Sequence, residues 1–247
     1  MKQKTMNRNP GQSRRLLVEW YHSPRGTSLR ALESNFLSRS VSFRYNQNVL
    51  QIGSLGWEND YLDRECRYGF LVVDNSSLAE PATSRIIARC DRIPIESESI
   101  DVVIVPHCLE FEPDQHGVLR EAERVLKPEG QFILLGFNPW SLQCFYHFRQ
   151  GRKGIVPWSG NFLSYPRVRD WLSLLNFEHS EKSGVFFKPS SMTCLPGDST
   201  LRLCTALGYG IRAIKRRYTL IPLTPVRAVP RNLLSADIAM TRCKCHD

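Results

Sequence analysis

The chain has no apolar run approaching the roughly 18 residues that a membrane-spanning helix needs, so no transmembrane segment is read in it. Its first ten residues, MKQKTMNRNP, have no apolar stretch behind their charges, and no secretory signal is expected. The eight cysteines form no paired C-x-x-C element, and several, such as Cys90, Cys108 and Cys204, lie inside apolar stretches. That is how reduced, buried thiols look, not a disulfide framework. At the extreme end, Cys243-Lys244-Cys245-His246 offers three ligands within four residues. Such a cluster cannot close a tetrahedral site without help from elsewhere, so no metal is expected. These absences predict a cytoplasmic chain. Internal repeats are absent too.

Acidic residues are in short supply: 24 Asp and Glu stand against 33 Lys and Arg, a formal charge of +9. The excess sits at the ends. Residues 1–30 carry seven basic groups against Glu19, and residues 211–247 carry eight against Asp237 and Asp247. Basic ends can meet nucleic-acid phosphates or an anionic membrane surface, or can simply be solvated. Neither end interleaves aromatics with its charges as single-strand binders do.

What is present is clearest between residues 99 and 139, SIDVVIVPHCLEFEPDQHGVLREAERVLKPEGQFILLGFNP. Ile100 to Val105 is a short apolar run. Pro113-Asp114 supplies a helix start, and Val118, Leu119, Ala122, Val125 and Leu126 recur at helical spacing. Lys127-Pro128-Glu129-Gly130 stops that helix. Gln131 to Phe137 is apolar on both faces, as a parallel strand covered by helices should be. Strand, helix and strand of this kind form the β-α-β unit of nucleotide-type α/β folds.

Around that unit the spacing predicts helix from Arg14 to about Phe43, interrupted by the Ser23–Gly26 turn. Strands are expected at Asn48–Ile52, Gly69–Val73 and Arg85–Ala88, a helix over Val168–Leu175, and two last strands within Phe177–Phe187 and Ala206–Ile214. An aromatic segment, Phe145-Tyr146-His147-Phe148, and a basic glycine-containing loop, Gln150 to Gly154, follow the fifth strand. The segment beyond Arg217 has no clear period and is expected to be flexible. The division is a helical extension over 1–44, an α/β domain over 45–217 and a basic tail over 218–247. At 247 residues the chain can bury a full core.

The 99–139 unit, with its acid-led strand and its REAERVLKPEG helix end, resembles the class I S-adenosylmethionine (SAM) methyltransferases. WLSLLNFE resembles the helix preceding their sixth strand, and the resemblance covers about residues 45–215. It implies a Rossmann-like seven-stranded sheet with helices on both faces and an antiparallel last strand. It also implies SAM as cofactor and a methyl acceptor, expected to be a small molecule.

Ligands of open α/β sheets bind outside the carboxyl ends of the strands. Gly53-Ser54-Leu55-Gly56 follows the first strand, where the family carries Gly-x-Gly-x-Gly. Gly53 matches, Leu55 replaces the second glycine, Gly56 falls one place early, and Gln51 stands where an acid is usual. An ordinary strand-to-helix turn reads the same way. Asp74 lies 21 positions after Gly53, the spacing of a ribose-binding acid; it could equally cap the turn Asn75-Ser76-Ser77. Cys90-Asp91-Arg92-Ile93-Pro94 resembles the family's adenine-contacting element, which implies Asp91 on the adenine amino group and Arg92 beside the ring. His107 and Glu110, after the fourth strand, fall where the family lines the transferred methyl, and either could take a proton from an acceptor; a hydrogen-bonded turn histidine is the plain alternative. Asn138-Pro139-Trp140 stands after the fifth strand, not the fourth, so it is not the amino-methyltransferase Asn/Asp-Pro-Pro-aromatic element. Asn138 and Pro139 are expected to shape the exit turn, and Trp140 to pack under the following segment or line an acceptor pocket.

Two function classes follow. One is SAM-dependent methyl transfer. The other is a catalytically silent relative that binds RNA, anionic lipid or a protein partner through its basic ends. A nicotinamide-dependent dehydrogenase does not fit, because Gly-x-Gly-x-x-Gly is missing in register and no second catalytic domain is present.

Overall fold

A computed structural model describes residues 10–41, 47–62, 69–74, 84–141, 160–178, 184–188, 193–196 and 206–217. The expected aromatic segment at 145–148, the loop at 150–154, the 75–77 turn, the tail and Cys243–His246 lie outside these residues.

Two helices lead, α1 (Pro10–Tyr21) and α2 (Pro24–Ser40). The Ser23–Gly26 turn is the start of the second. Ser23 caps α2 by accepting from the Gly26 amide at 3.2 Å, and Pro24 follows in the first turn, where its missing N–H costs nothing. A Cβ on Gly26 would lie 2.2 Å from the Trp20 carbonyl oxygen, so only glycine lets the two helices approach this closely.

The sheet then builds from β1 (Asn48–Ile52), β2 (Gly69–Asp74), β3 (Arg85–Ile87) and β4 (Ile100–Pro106). After α3 (Gln115–Val125) comes β5 (Leu126–Phe137), and after α4 (Tyr165–Leu174) come β6 (Phe177–Glu178), β7 (Gly184–Lys188), β8 (Thr193–Pro196) and β9 (Gly208–Lys215). The strand order is β3-β2-β1-β4-β5-β9-β7-β8, with β6 beside the end of β9. β1 to β5 pair in parallel, and β9 is antiparallel to both β5 and β7. Among the described residues nine strands stand where seven were expected. The surplus is β6, a two-residue piece split from the expected 177–187 strand, and β8, an edge hairpin partner of β7 too short to show a period.

β5 also starts earlier than Gln131. Leu126 pairs with Ile100, and an irregularity between Ile100 and Val102, opposite a left-handed Glu129 (φ 60°), absorbs the Lys127–Gly130 stretch. α3 is capped at its start by Asp114, which accepts from Gly117 at 2.8 Å. At its end Lys215 donates to the carbonyls of Glu123 (2.7 Å) and Leu126 (3.0 Å), satisfying groups the helix leaves open.

Both faces of the central strand β4 are covered. Val103 and Val105 of β4 face Val118, Leu119 and Val168 of α3 and α4, whereas Val102 and Ile104 face Leu17, Tyr21 and Leu29 of α1 and α2. Alternate residues of one strand thus enter different cores, which explains its continuous apolar run. Among the described residues no helix is long and apolar enough to cross a membrane.

Candidate functional site

The strand order reverses direction at β1, where β2 lies on one side and β4 on the other, and the crevice beyond their carboxyl ends is where such sheets take ligands. β1 runs out at Gly53, whose φ of +94° is left-handed, and Gly56 follows at +75°. The Gly53 amide donates to the Val73 carbonyl at 2.8 Å, tying the turn to β2. A Cβ on Gly53 would sit 3.3 Å from the Cys108 Cβ and 3.4 Å from Arg14 Nη1. Glycine is required here by both dihedral and space.

The turn is organised by a residue the sequence reading passed over. Glu58, in a single 3-10 turn (Glu58–Asp60), is buried, and its Oε1 accepts from the Leu55 amide (2.8 Å), the Gly56 amide (3.3 Å) and the Ser54 hydroxyl (2.9 Å). Gln51 Nε2 also donates to it at 2.9 Å, and Tyr61 donates to Gln51 Oε1. An acid is therefore present beside Gln51, supplied from seven residues downstream.

Asp74 closes β2 with its carboxylate fully buried, and it receives the guanidinium of Arg14 from α1. The same Arg14 donates through Nη2 to Glu112 (2.9 Å), Cys108 Sγ (3.0 Å) and Cys90 Sγ (3.4 Å). Burial alone would lower the Arg14 pKa, but the two thiols and two carboxylates hold it well above its ordinary value. The Cys108 thiol donates to Cys90, which lowers the Cys90 pKa and, with burial, raises that of Cys108. Burial outweighs Arg14 at Glu112 and raises its pKa. Cys90, Cys108 and Glu112 bring three potential metal ligands within 4.8 Å of one another, yet the guanidinium already bonds to all three.

Asp91 lies at the rim, where Arg89 donates to both of its oxygens at 2.8 and 2.6 Å and lowers its pKa. Arg92 is exposed. Their loop is clamped to α3, because Arg124 donates to the carbonyls of Ile93 and Ile95, both at 2.9 Å, and Glu121 accepts from the Ile93 amide at 3.0 Å.

After β4, His107 has a left-handed φ of 45°, and its ring lies 4.2 Å from that of Phe137. Nε2 contacts Glu33 of α2 at 2.9 Å, Nδ1 contacts Glu110 at 3.3 Å, and Tyr21 donates to the other Glu33 oxygen at 2.7 Å. Burial pulls the His107 pKa down, but the two carboxylates prevail and lift it to about 9. At neutral pH it is an imidazolium with both nitrogens engaged. Glu110 Oε1 accepts from the Phe137 amide at 2.9 Å, while its buried Oε2 has no hydrogen-bond partner among the described residues. Asn138 accepts from the Trp140 amide at 3.2 Å and donates to the Ala206 carbonyl at 3.0 Å, forming the exit turn and leaving Trp140 exposed.

The structure thus gathers Gly53, Asp74 and Cys108 around Arg14, and Glu33 with Glu110 around His107. Residues 56–134 match the profile of the family described as methyltransferase domain. A SAM-dependent methyltransferase of Thermotoga maritima superposes with a TM-score of 0.62 at 18% identity, covering 84% of this chain and 100% of that one. The fold is that of the class I SAM-dependent methyltransferases. Geranyl diphosphate C-methyltransferase of Streptomyces coelicolor, solved with S-adenosylhomocysteine, shares the methyltransferase fold at a TM-score of 0.54 and 12% identity, over 76% of this chain and 79% of that one. Among curated proteins, the uncharacterised YafS of Escherichia coli is 29% identical over 159 residues, a match spanning 64% of this chain and 64% of YafS.

Proposed function

We propose that the protein transfers a methyl group from SAM to a small-molecule acceptor. The observation that carries this reading is Asp74, a fully buried carboxylate at the carboxyl end of β2, with the Gly53 turn and Cys108 around the same point. A carboxylate there can accept both hydroxyls of a ribose diol. Gly53 and Gly56 keep the first turn open to a close approach, Asp91 accepts from the adenine amino group at the rim, and Arg92 lies beside it. When bound, SAM supplies an electrophilic methyl carbon on a sulfonium. The protein's task is to position and desolvate the two reactants.

His107 and Glu110 divide the remaining work. As an imidazolium, His107 cannot take a proton, and it acts by holding Glu110 in place beside the transferred methyl. Glu110 Oε2, unpartnered and buried, accepts the proton when the acceptor atom is protonated. Calorimetry with SAM and S-adenosylhomocysteine tests the reading: binding at one site per chain is expected, with loss in Asp74→Ala and weakening in Asp91→Ala. No heat up to millimolar ligand, from wild type or from any variant that frees Asp74, overturns it.

One observation favours a second reading. Glu58 already satisfies the amides of Leu55 and Gly56, as in a turn that has given up ligand binding. On this reading the protein is a silent relative binding RNA, anionic lipid or a protein partner through its basic ends. Salt-sensitive RNA binding without cofactor binding, lost on removal of residues 218–247, would distinguish it.

A further inference from the structure

The geometry points to α1 as a latch on the cofactor site: Arg14 holds Asp74 and competes with the ribose diol for it. This inference rests on the SAM reading above.

One guanidinium meets every strand end of the crevice. It is paired with Asp74 after β2, bonded to Cys90 in the loop after β3 and to Cys108 and Glu112 in the loop after β4, and it lies against Gly53 after β1. Arg14 is 2% exposed and Asp74 is wholly enclosed, so no room remains for a sugar on that carboxylate while the pair is formed. α1 also borders the first turn, since Val18 lies 3.7 Å from where a Gly56 Cβ would stand. Ribose and guanidinium are alternatives at one acceptor.

α1 is suited to leave. It is a twelve-residue helix at the start of the described chain, its own Leu17 and Tyr21 are buried and anchor the end next to α2, and the end that carries Arg14 is the one that lifts. A buried ion pair recovers little beyond the cost of desolvating its two charges. Opening sends Arg14 to water, where its charge is well solvated, and leaves Asp74 to the diol hydroxyls. The apparent dissociation constant is the intrinsic one divided by the fraction of open molecules, so the latch sets the cofactor concentration at which the enzyme engages.

The test is calorimetry with S-adenosylhomocysteine on the full chain, comparing wild type, Arg14→Met and Arg14→Lys, each checked for folding by circular dichroism. Methionine keeps most of the side chain's length without its charge, so Arg14→Met should bind at least about tenfold more tightly than wild type. Arg14→Lys, which keeps one cationic donor, should fall between. Hydrogen exchange on wild type supplies an independent readout: ligand should increase exchange in residues 10–21. Equal or weaker binding by Arg14→Met, or ligand protection of α1, overturns the latch while leaving the cofactor reading intact; weaker binding would instead make Arg14 a ligand of the cofactor's own carboxylate. Absence of binding by all three proteins overturns the cofactor reading and the latch together.

Discussion

Glu33 on α2 and His107 after β4 meet at 2.9 Å across 74 residues of sequence, and neither side chain is exposed. The contact bolts the leading helical pair to the loop after β4, and its chemistry makes that bolt sensitive to proton concentration.

The pH dependence follows from the direction of the shift. A histidine whose folded pKa is raised to about 9, against roughly 6.5 when unfolded, contributes fully below pH 6.5 and loses its contribution as pH rises through 9. The shift corresponds to on the order of 3 kcal/mol at most. Urea unfolding of wild type from pH 6 to 9.5 should show stability declining across that window. In Glu33→Gln the decline should shrink, because the carboxylate facing Nε2 is gone while Glu110 remains; parallel profiles for the two proteins would rule the ion pair out.

Glu58 is the acceptor for two backbone amides and two side chains of the first turn. Glu58→Ala should lower unfolding free energy by about 3 kcal/mol, since buried donors left unpaired cost about 1–3 kcal/mol each and water can reach only some of them. Glu58→Gln, with one oxygen retained, should lose less. Equal stability for Glu58→Ala and wild type would mean the turn finds other acceptors.

Gly53→Ala places a Cβ at a left-handed φ of +94° and 3.3 Å from the Cys108 Cβ. A cost of about 1–3 kcal/mol is expected from the backbone alone. Gly56→Ala shares the dihedral problem but meets only Val18 at 3.7 Å, so it should cost less. Chemical denaturation of the two variants side by side decides the order.

Arg124 reads as a clamp rather than a surface charge, because it holds two carbonyls of the loop after β3 as well as Glu121. Arg124→Ala should cost about 1–2 kcal/mol, above the value of an exposed ion pair. Hydrogen exchange at residues 90–98 should rise selectively; a uniform rise across the chain would contradict a local clamp.

Most of the sheet was readable because its strands are short apolar runs bounded by turn residues, and β4–α3–β5 shows both periods in one stretch. Gly53 and Asp74 were readable because chain position alone sets them at strand ends. Arg14, Glu33 and Glu58 were not. Each is an ordinary polar residue in its local sequence, and what makes it matter is a partner 60, 74 or a few residues away whose proximity depends on how α1 and α2 lie across the sheet. Helical spacing says which apolar side faces inward but not that a charged residue on that side is met by an opposite charge. The early start of β5 was hidden for a similar reason, since Pro128 and Gly130 look like a break unless the opposing strand is seen to bend with them.

β9, the last strand in chain order among the described residues, is an interior strand of the sheet, bonded to β5 on one side and β7 on the other. During synthesis the β1–β5 half must therefore wait with an open edge at β5 until residue 215 has been made. Lys215, which ends that strand, is also the group that closes the carbonyl end of α3. The final residue of the closing strand thus reaches back to finish the β4–α3–β5 unit, and a chain shortened to end before Gly208 would lose the seam that joins its two halves.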